Sequence, residues 1–247
     1  MVYLDVREGV SADMLLSALL GLLEDEQRAE SVKKLEKAAA SLGVEFRLVE
    51  IADSGDKGYG LSYVGVGPAS HGRNLDEALE LLSSIQNDLG SRSQTATEIL
   101  MAIFNAEGEA HGERPETVHL HEIGRAEGIL NIAGIGMVAD LLRRNGRETF
   151  RCSSITIGKG TVVIGHGAIR IPAPASKILL RGLIYDEGIM PGERATPTGI
   201  AALKVLCKLQ MEEHPDKYAR RSVGFGTKRF GDRLGSVVAY SFSSLTD

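Results

Sequence analysis

The chain has 247 residues, 43% of them hydrophobic, with 28 Lys and Arg against 33 Asp and Glu and a net charge of -5 at neutral pH. That length buries a core without staples, which excludes a miniature disulfide scaffold, and the acidic balance excludes a protein held mainly by phosphate backbones, so no nucleic-acid partner is expected. No apolar run reaches the roughly 18 residues of a membrane span and no signal-peptide pattern opens the chain, so a cytoplasmic protein without a membrane partner is expected.

Val2 to Asp5 predicts a short strand, and Gly9-Val10-Ser11 leads from it into an apolar helix through Met14 and Leu20. A charged amphipathic helix follows from about Glu26 to Leu42, closed by Gly43 where a left-handed cap is needed. Val44 to Ala52 and Leu61 to Val66 alternate and predict an antiparallel hairpin with a mobile connection through Asp53 to Gly60. Asn74 with Glu77 and Thr95 with Glu98 have capping-box spacing, predicting helices over about 75–88 and 96–110. Thr117 to Ile123 reads as extended, and Glu127 to Arg144 as a third long helix.

Phe150 opens a β-rich half. Ser154 to Ile157, Thr161 to Ile164 and Ala168 to Ile171 predict strands joined by Gly158-Lys159-Gly160 and Gly165-His166-Gly167. Pro174 opens a helix to Arg181, Thr196-Pro197-Thr198-Gly199 precedes another to about Leu209, and Gly235 to Phe242 gives a final strand. The mixture predicts an α+β fold, a mixed β-sheet with hairpins flanked by helices. It is read as one domain over 1–247, with two lobes as an option: helix-rich 1–148 and β-rich 149–247.

The densest chemical cluster is His119-Leu120-His121-Glu122, because an extended backbone sends residues two apart to one face. Two imidazoles on one face suit nickel, zinc or copper, and the carboxylate completes or orients the shell; the competing reading is a polar strand edge. His166 sits between glycines that let another molecule approach, or in an ordinary tight hairpin. Asp5 at a strand end and Asp13 in a helix's first turn are either a divalent-cation pair or a strand-end acid and a normal helix-start acid, with Ser11 as N-cap. Thr196 to Gly199 offers hydroxyls and amides at a helix N-terminus, either an anion site or simple capping. Gly224-Phe225-Gly226-Thr227 lacks the spacing of a phosphate loop and is set aside. Cys152 and Cys207 lack metal-knuckle or redox spacing and read as reduced core thiols.

Five segments in order carry a resemblance: Tyr3-Leu4-Asp5 with Gly9-Val10-Ser11-Ala12-Asp13-Met14, Ala110-His111-Gly112, Val118-His119-Leu120-His121-Glu122-Ile123-Gly124, Gly158-Lys159-Gly160-Thr161 through His166-Gly167 to Pro172-Ala173-Pro174-Ala175, and Thr196-Pro197-Thr198-Gly199. Together they resemble the LarC nickel-insertion family, over that family's N-terminal portion. The resemblance implies insertion of nickel into a pyridinium bisthiocarboxylate mononucleotide, a cyclometallase activity of the lyase class. On that reading His119, His121, Glu122 and Asp5 serve the metal, and His166 and Asp13 act in catalysis. Ser11, Thr196, Thr198 and Gly199 bind the nucleotide. The family's C-terminal domain, associated with CTP and a further metal, is expected to lie outside this chain, so CTP use would go with a separate polypeptide. A homo-oligomer is compatible with this reading. The alternatives are a non-catalytic metallochaperone or assembly subunit, and a nucleotide-phosphate domain with structural histidines. Two acids that the family carries after its HxHE string stand here as Glu127 and Asn131.

Overall fold

The computed structural model describes residues 1–65, 72–120, 125–164, 167–189, 191–212 and 217–242. Strand β1 (Val2–Asp5) leads into helix α1 (Ala12–Gly21), followed by α2 (Asp25–Ser41), the hairpin β2 (Glu45–Asp53) and β3 (Asp56–Val64), then α3 (Leu75–Leu89), α4 (Gln94–His111) and α5 (Ala126–Arg144). The second half contributes β4 (Phe150–Cys152), β5 (Ile155–Thr156), β6 (Gly158–Lys159), β7 (Thr161–Ile164), β8 (Gly167–Arg170), α6 (Pro174–Leu179), β9 (Tyr185–Asp186) and β10 (Gly192–Glu193). It closes with α7 (Pro197–Leu206), β11 (Cys207–Gln210), β12 (Arg220–Phe230) and β13 (Arg233–Ser241). The fold is α+β, as the mixed pattern predicts.

A seven-stranded mixed sheet runs β11-β4-β1-β13-β12-β3-β2, taking strands from both halves of the chain. β1 is wholly apolar before its last residue because it lies inside this sheet, antiparallel to β13 and parallel to β4. Its alternation divides the two faces: Val2 and Leu4 join the main core, whereas Tyr3 packs with Tyr240 and Phe242 in a small aromatic cluster. α1 is apolar nearly all round because it is buried, with Leu15, Leu16, Leu19 and Leu20 fully enclosed. α2 instead buries only one stripe, Ser31, Leu35, Ala38 and Ala39, and is followed by Gly43 at φ 72°, as its sequence predicts. α3 carries the complete Asn74–Glu77 capping box.

Several expectations are corrected. The connection read as mobile over Asp53 to Gly60 is a two-residue turn at Ser54 and Gly55, and Lys57 to Gly60 are paired strand. Gly58 looks like loop chemistry in isolation, but a Cβ there would sit 2.1 Å from the Val223 carbonyl oxygen, so β12 demands the glycine. Ser93, not Thr95, is the N-cap of α4; Thr95 is buried and its hydroxyl accepts from Arg143 Nη1 at 2.7 Å. The stretch read as extended from Thr117 begins in a single 3-10 turn over Pro115–Thr117, after which Leu120 makes one bridge with Arg73. Gly158 and Lys159, read as a turn, pair with Glu193 and Gly192. α6 stops at Leu179, where Lys204 Nζ donates to the Leu179 and Arg181 carbonyls at 2.9 and 2.8 Å. α7 stops at Leu206, because Cys207 turns into the sheet beside Phe150. β12 carries no alternation strong enough to predict it, yet it is the longest strand of the sheet.

Candidate ligand cavity where α1 and α7 begin

The starts of α1 and α7 are tied by their backbones before any side chain contributes. Val10 N donates to the Arg194 carbonyl and Thr196 N to the Val10 carbonyl, each at 2.9 Å, so Ser11 and Thr196 enter their helices side by side. Gly9 makes this approach possible: at φ 103° it lies in the left-handed region, and a Cβ would stand 2.3 Å from the Arg194 carbonyl oxygen. Beside this junction opens a cavity of about 140 Å³. Ser11, Asp13 and Met14 contribute from α1, and Glu193, Arg194 and Thr196 from β10 and the entry to α7. β12 and β13 supply Gly226, Thr227, Lys228, Phe230 and Gly235.

Ser11 stands at the N-cap of α1, but its hydroxyl caps no amide; it donates to the Asp13 carboxylate. The Asp13 carbonyl accepts from Ser17 Oγ at 2.8 Å, fixing the first turn. At α7 the Thr196 hydroxyl does cap, accepting from Gly199 N at 3.3 Å. Arg194 donates from Nη1 to a Glu8 carboxylate oxygen at 2.9 Å and to the Glu8 carbonyl at 3.3 Å, and its guanidinium lies 4.3 Å from the Phe230 ring centre. Lys228 Nζ lies 3.7 Å from a Glu193 carboxylate oxygen. The cavity therefore combines hydroxyls, two cations and two carboxylates in one small volume.

Asp13 also acts by its charge on a second, buried polar pair, Tyr63 and Asn131. The Tyr63 hydroxyl donates to Asn131 Oδ1, and burial, followed by the negative charges of Asp13 and Glu127, pushes the Tyr63 phenol far above its ordinary value. Tyr63 is thus a fixed proton donor at neutral pH. Asn131 and Glu127 stand out through the resemblance, whereas no local signal marks Tyr63, which reaches Asn131 from β3.

Of the residues singled out in sequence, Ser11, Asp13 and Thr196 come together in the cavity. Thr198 and Gly199 are not among its lining; both are buried, and a Cβ on Gly199 would meet the Val10 carbonyl oxygen at 2.6 Å. Asp5 is engaged elsewhere, accepting from Arg7 Nε at 2.9 Å and from a second guanidinium nitrogen. His119 is exposed, beside the Arg73–Leu120 bridge and outside the cavity lining. His121, Glu122 and His166 lie outside the described residues. Among the described residues no group of three or more His, Cys, Asp or Glu is arranged to hold a metal, and no helix is long and apolar enough to cross a membrane. Cys152 and Cys207, distant in sequence, are both buried free thiols on neighbouring strands, and burial together with the Cys152 thiol pushes Cys207 well above its ordinary value. Thr227 and Lys228 carry no local signal of a site: the string Gly224-Phe225-Gly226-Thr227 fits no phosphate loop, and it belongs to β12, whose end lines the cavity.

The fold and cavity define an α+β protein whose polar site is built between two helix starts and a strand pair. By sequence the chain belongs to the nickel insertion protein family, whose model matches residues 2–240. It is 34% identical over 223 residues to the pyridinium-3,5-bisthiocarboxylic acid mononucleotide nickel insertion protein of Thermotoga sp. strain RQ2, covering 83% of this chain and 52% of that protein. The protein of the same description from Staphylococcus epidermidis strain ATCC 12228 is 35% identical over 208 residues, covering 83% and 50%. A putative nickel insertion protein of Myxococcus xanthus strain DK1622 is 33% identical over 242 residues, covering 94% and 58%. The chain thus spans about half the length of the curated relatives it matches. No solved structure matches it.

Proposed function

We propose that this chain works in the insertion of nickel into a pyridinium bisthiocarboxylate mononucleotide, with the cavity between α1 and α7 as the nucleotide site. The observation that carries this reading is the convergence of Ser11, Asp13 and Thr196, drawn from opposite ends of the chain, on one polar hollow. The family match supplies the reaction class. Nickel is the cargo. His119, His121 and Glu122 receive it, Asp5 assists on the metal side, and His166 serves as ligand or proton acceptor. Asp13, held by Ser11, is the carboxylate at the nucleotide, and Thr196, at the entry to α7, lines the same hollow. Imidazole and carboxylate are harder donors than sulfur, so transfer to the substrate's thiocarboxylates runs from the weaker to the better matched ligands. The family's C-terminal domain would bring CTP to the reaction.

The test is direct. Purified chain is mixed with nickel and the metal-free mononucleotide, with and without CTP and the C-terminal polypeptide, and the nickel adduct is followed by mass spectrometry. Adduct formed in any arm, and lost with Asp13→Asn, supports the reading. In parallel, calorimetry is expected to find about one nickel per chain, lost in His119→Ala with His121→Ala. Nickel bound as tightly by that double variant overturns the metal assignment, and no adduct in any arm overturns the insertion reading.

A further inference from the structure

The cavity holds a cation whose bonding capacity is only half spent. The Arg194 side chain is 8% exposed, and its hydrogen bonds leave from Nη1 toward Glu8, so the edge formed by Nε and Nη2 makes none among the described residues. Its guanidinium carbon lies 4.3 Å from the centre of the Phe230 ring, and Phe230 is itself wedged between Gly192 and Gly235, where added Cβ atoms would stand 3.1 Å from the ring. A guanidinium presents a rigid fork that matches the oxygen pairs of phosphate and carboxylate, and one pre-oriented by a stack and an ion pair loses little freedom on binding. On the same cavity wall Lys228 is 61% exposed, with Glu193 at 3.7 Å as its carboxylate neighbour, leaving its ammonium able to swing toward an incoming anion. The hydroxyls of Ser11, Thr196 and Thr227 line the space between the two helix starts and β12.

We infer that Arg194, braced by Glu8 and Phe230, is the phosphate receptor of this cavity, with Lys228 as a mobile second cation, and that the site selects the phosphorylated form of its ligand. The inference rests on the reading of the cavity as a mononucleotide site and adds the residues that discriminate nucleotide from nucleoside. Nothing in the sequence context of Arg194 marks it, because the features that define it, the contact with Phe230 and the unspent edge, exist only once the end of β12 lies against β10 and Arg194.

The experiment uses the full chain without nickel and nicotinate mononucleotide, a commercially accessible phosphorylated pyridinium, as probe, with the corresponding riboside and inorganic phosphate as the other arms. The mononucleotide is expected to bind, the riboside at least tenfold more weakly, and phosphate to compete. Lys228→Ala, at an exposed position, is expected to weaken the mononucleotide about threefold to tenfold and to flatten the salt dependence. Arg194→Gln is expected to weaken it more than tenfold, and Arg194→Lys, which keeps the charge but not the fork, to fall between. Thermal melts show which variants remain folded; should Arg194→Gln unfold, Arg194→Lys and Lys228→Ala decide. Riboside bound as tightly as mononucleotide, or folded Arg194 and Lys228 variants binding within twofold of the parent, overturns the inference. Because this assay contains no metal, it fails independently of the insertion reading, which falls only if the nickel adduct does not form.

Discussion

Replacing Gly224 by alanine tests whether the cavity depends on close packing between α1 and β12. A Cβ at Gly224 would lie 2.0 Å from the Met14 carbonyl oxygen, 2.5 Å from the Ala18 amide nitrogen and 2.7 Å from Ser17 Oγ. Two of those three atoms are helix backbone, which cannot rotate away, so α1 must shift bodily from the sheet. Overpacking of a core typically costs about 1–3 kcal/mol, and a clash with helix backbone belongs at the top of that range or above it. For a chain of this length each kcal/mol lowers Tm by about 2–4 °C, so Gly224→Ala should melt about 6–12 °C below the parent. Gly226→Ala, two residues along the same strand, is the matched control: its Cβ would crowd the Met14 Sδ and Cγ atoms at 3.0 Å, a flexible side chain that can yield, and meet the Gly235 carbonyl oxygen at an ordinary contact distance of 3.7 Å. Its expected cost is about 1 kcal/mol or less. Both substitutions gain similarly from removing a strand glycine, so the difference between them isolates the backbone clash. Thermal and urea unfolding measure both; since α1 carries Ser11 and Asp13, mononucleotide binding should fall in Gly224→Ala as well. If the two variants melt within 2 °C of each other, the packing argument is wrong.

Two further outcomes are expected. Tyr63→Phe strands the Asn131 amide, itself 7% exposed, and should cost about 1–3 kcal/mol in urea unfolding, with part recovered by Tyr63→Phe combined with Asn131→Leu; a loss below about 0.5 kcal/mol would remove the hydrogen bond from the account. Asp53 accepts from Leu234 N at 2.9 Å and from Arg229 at 2.8 Å, and these donors, the backbone amide first, hold its carboxyl below the ordinary value. Its contribution is therefore complete above the ordinary carboxylate range near about pH 4 and is lost as pH falls through the lowered folded value, so Asp53→Asn should flatten the acid limb of the stability curve; an unchanged acid limb refutes it.

The features legible in the chain were ones governed by near neighbours. The Asn74–Glu77 box, Gly43 after α2, the apolar run of β1 and the all-round apolar α1 are each set by residues within a turn or two, so composition and spacing reveal them. The same local signals point to Ser11, Asp13 and Thr196 as helix-start residues, and the ordered segments carry the family. Tertiary structure alone decided which of these meet. Gly224 and Gly58 resemble loop residues until α1 and β12 are seen pressing on them, and Thr95 resembles a cap until Arg143 claims its hydroxyl. Phe230 and Arg194 have no local reason to be more than a strand end and a surface base. Their role arises because β12 runs beside β13 and its end lies against β10 and Arg194, and contacts between segments so far apart leave no periodic trace in the chain.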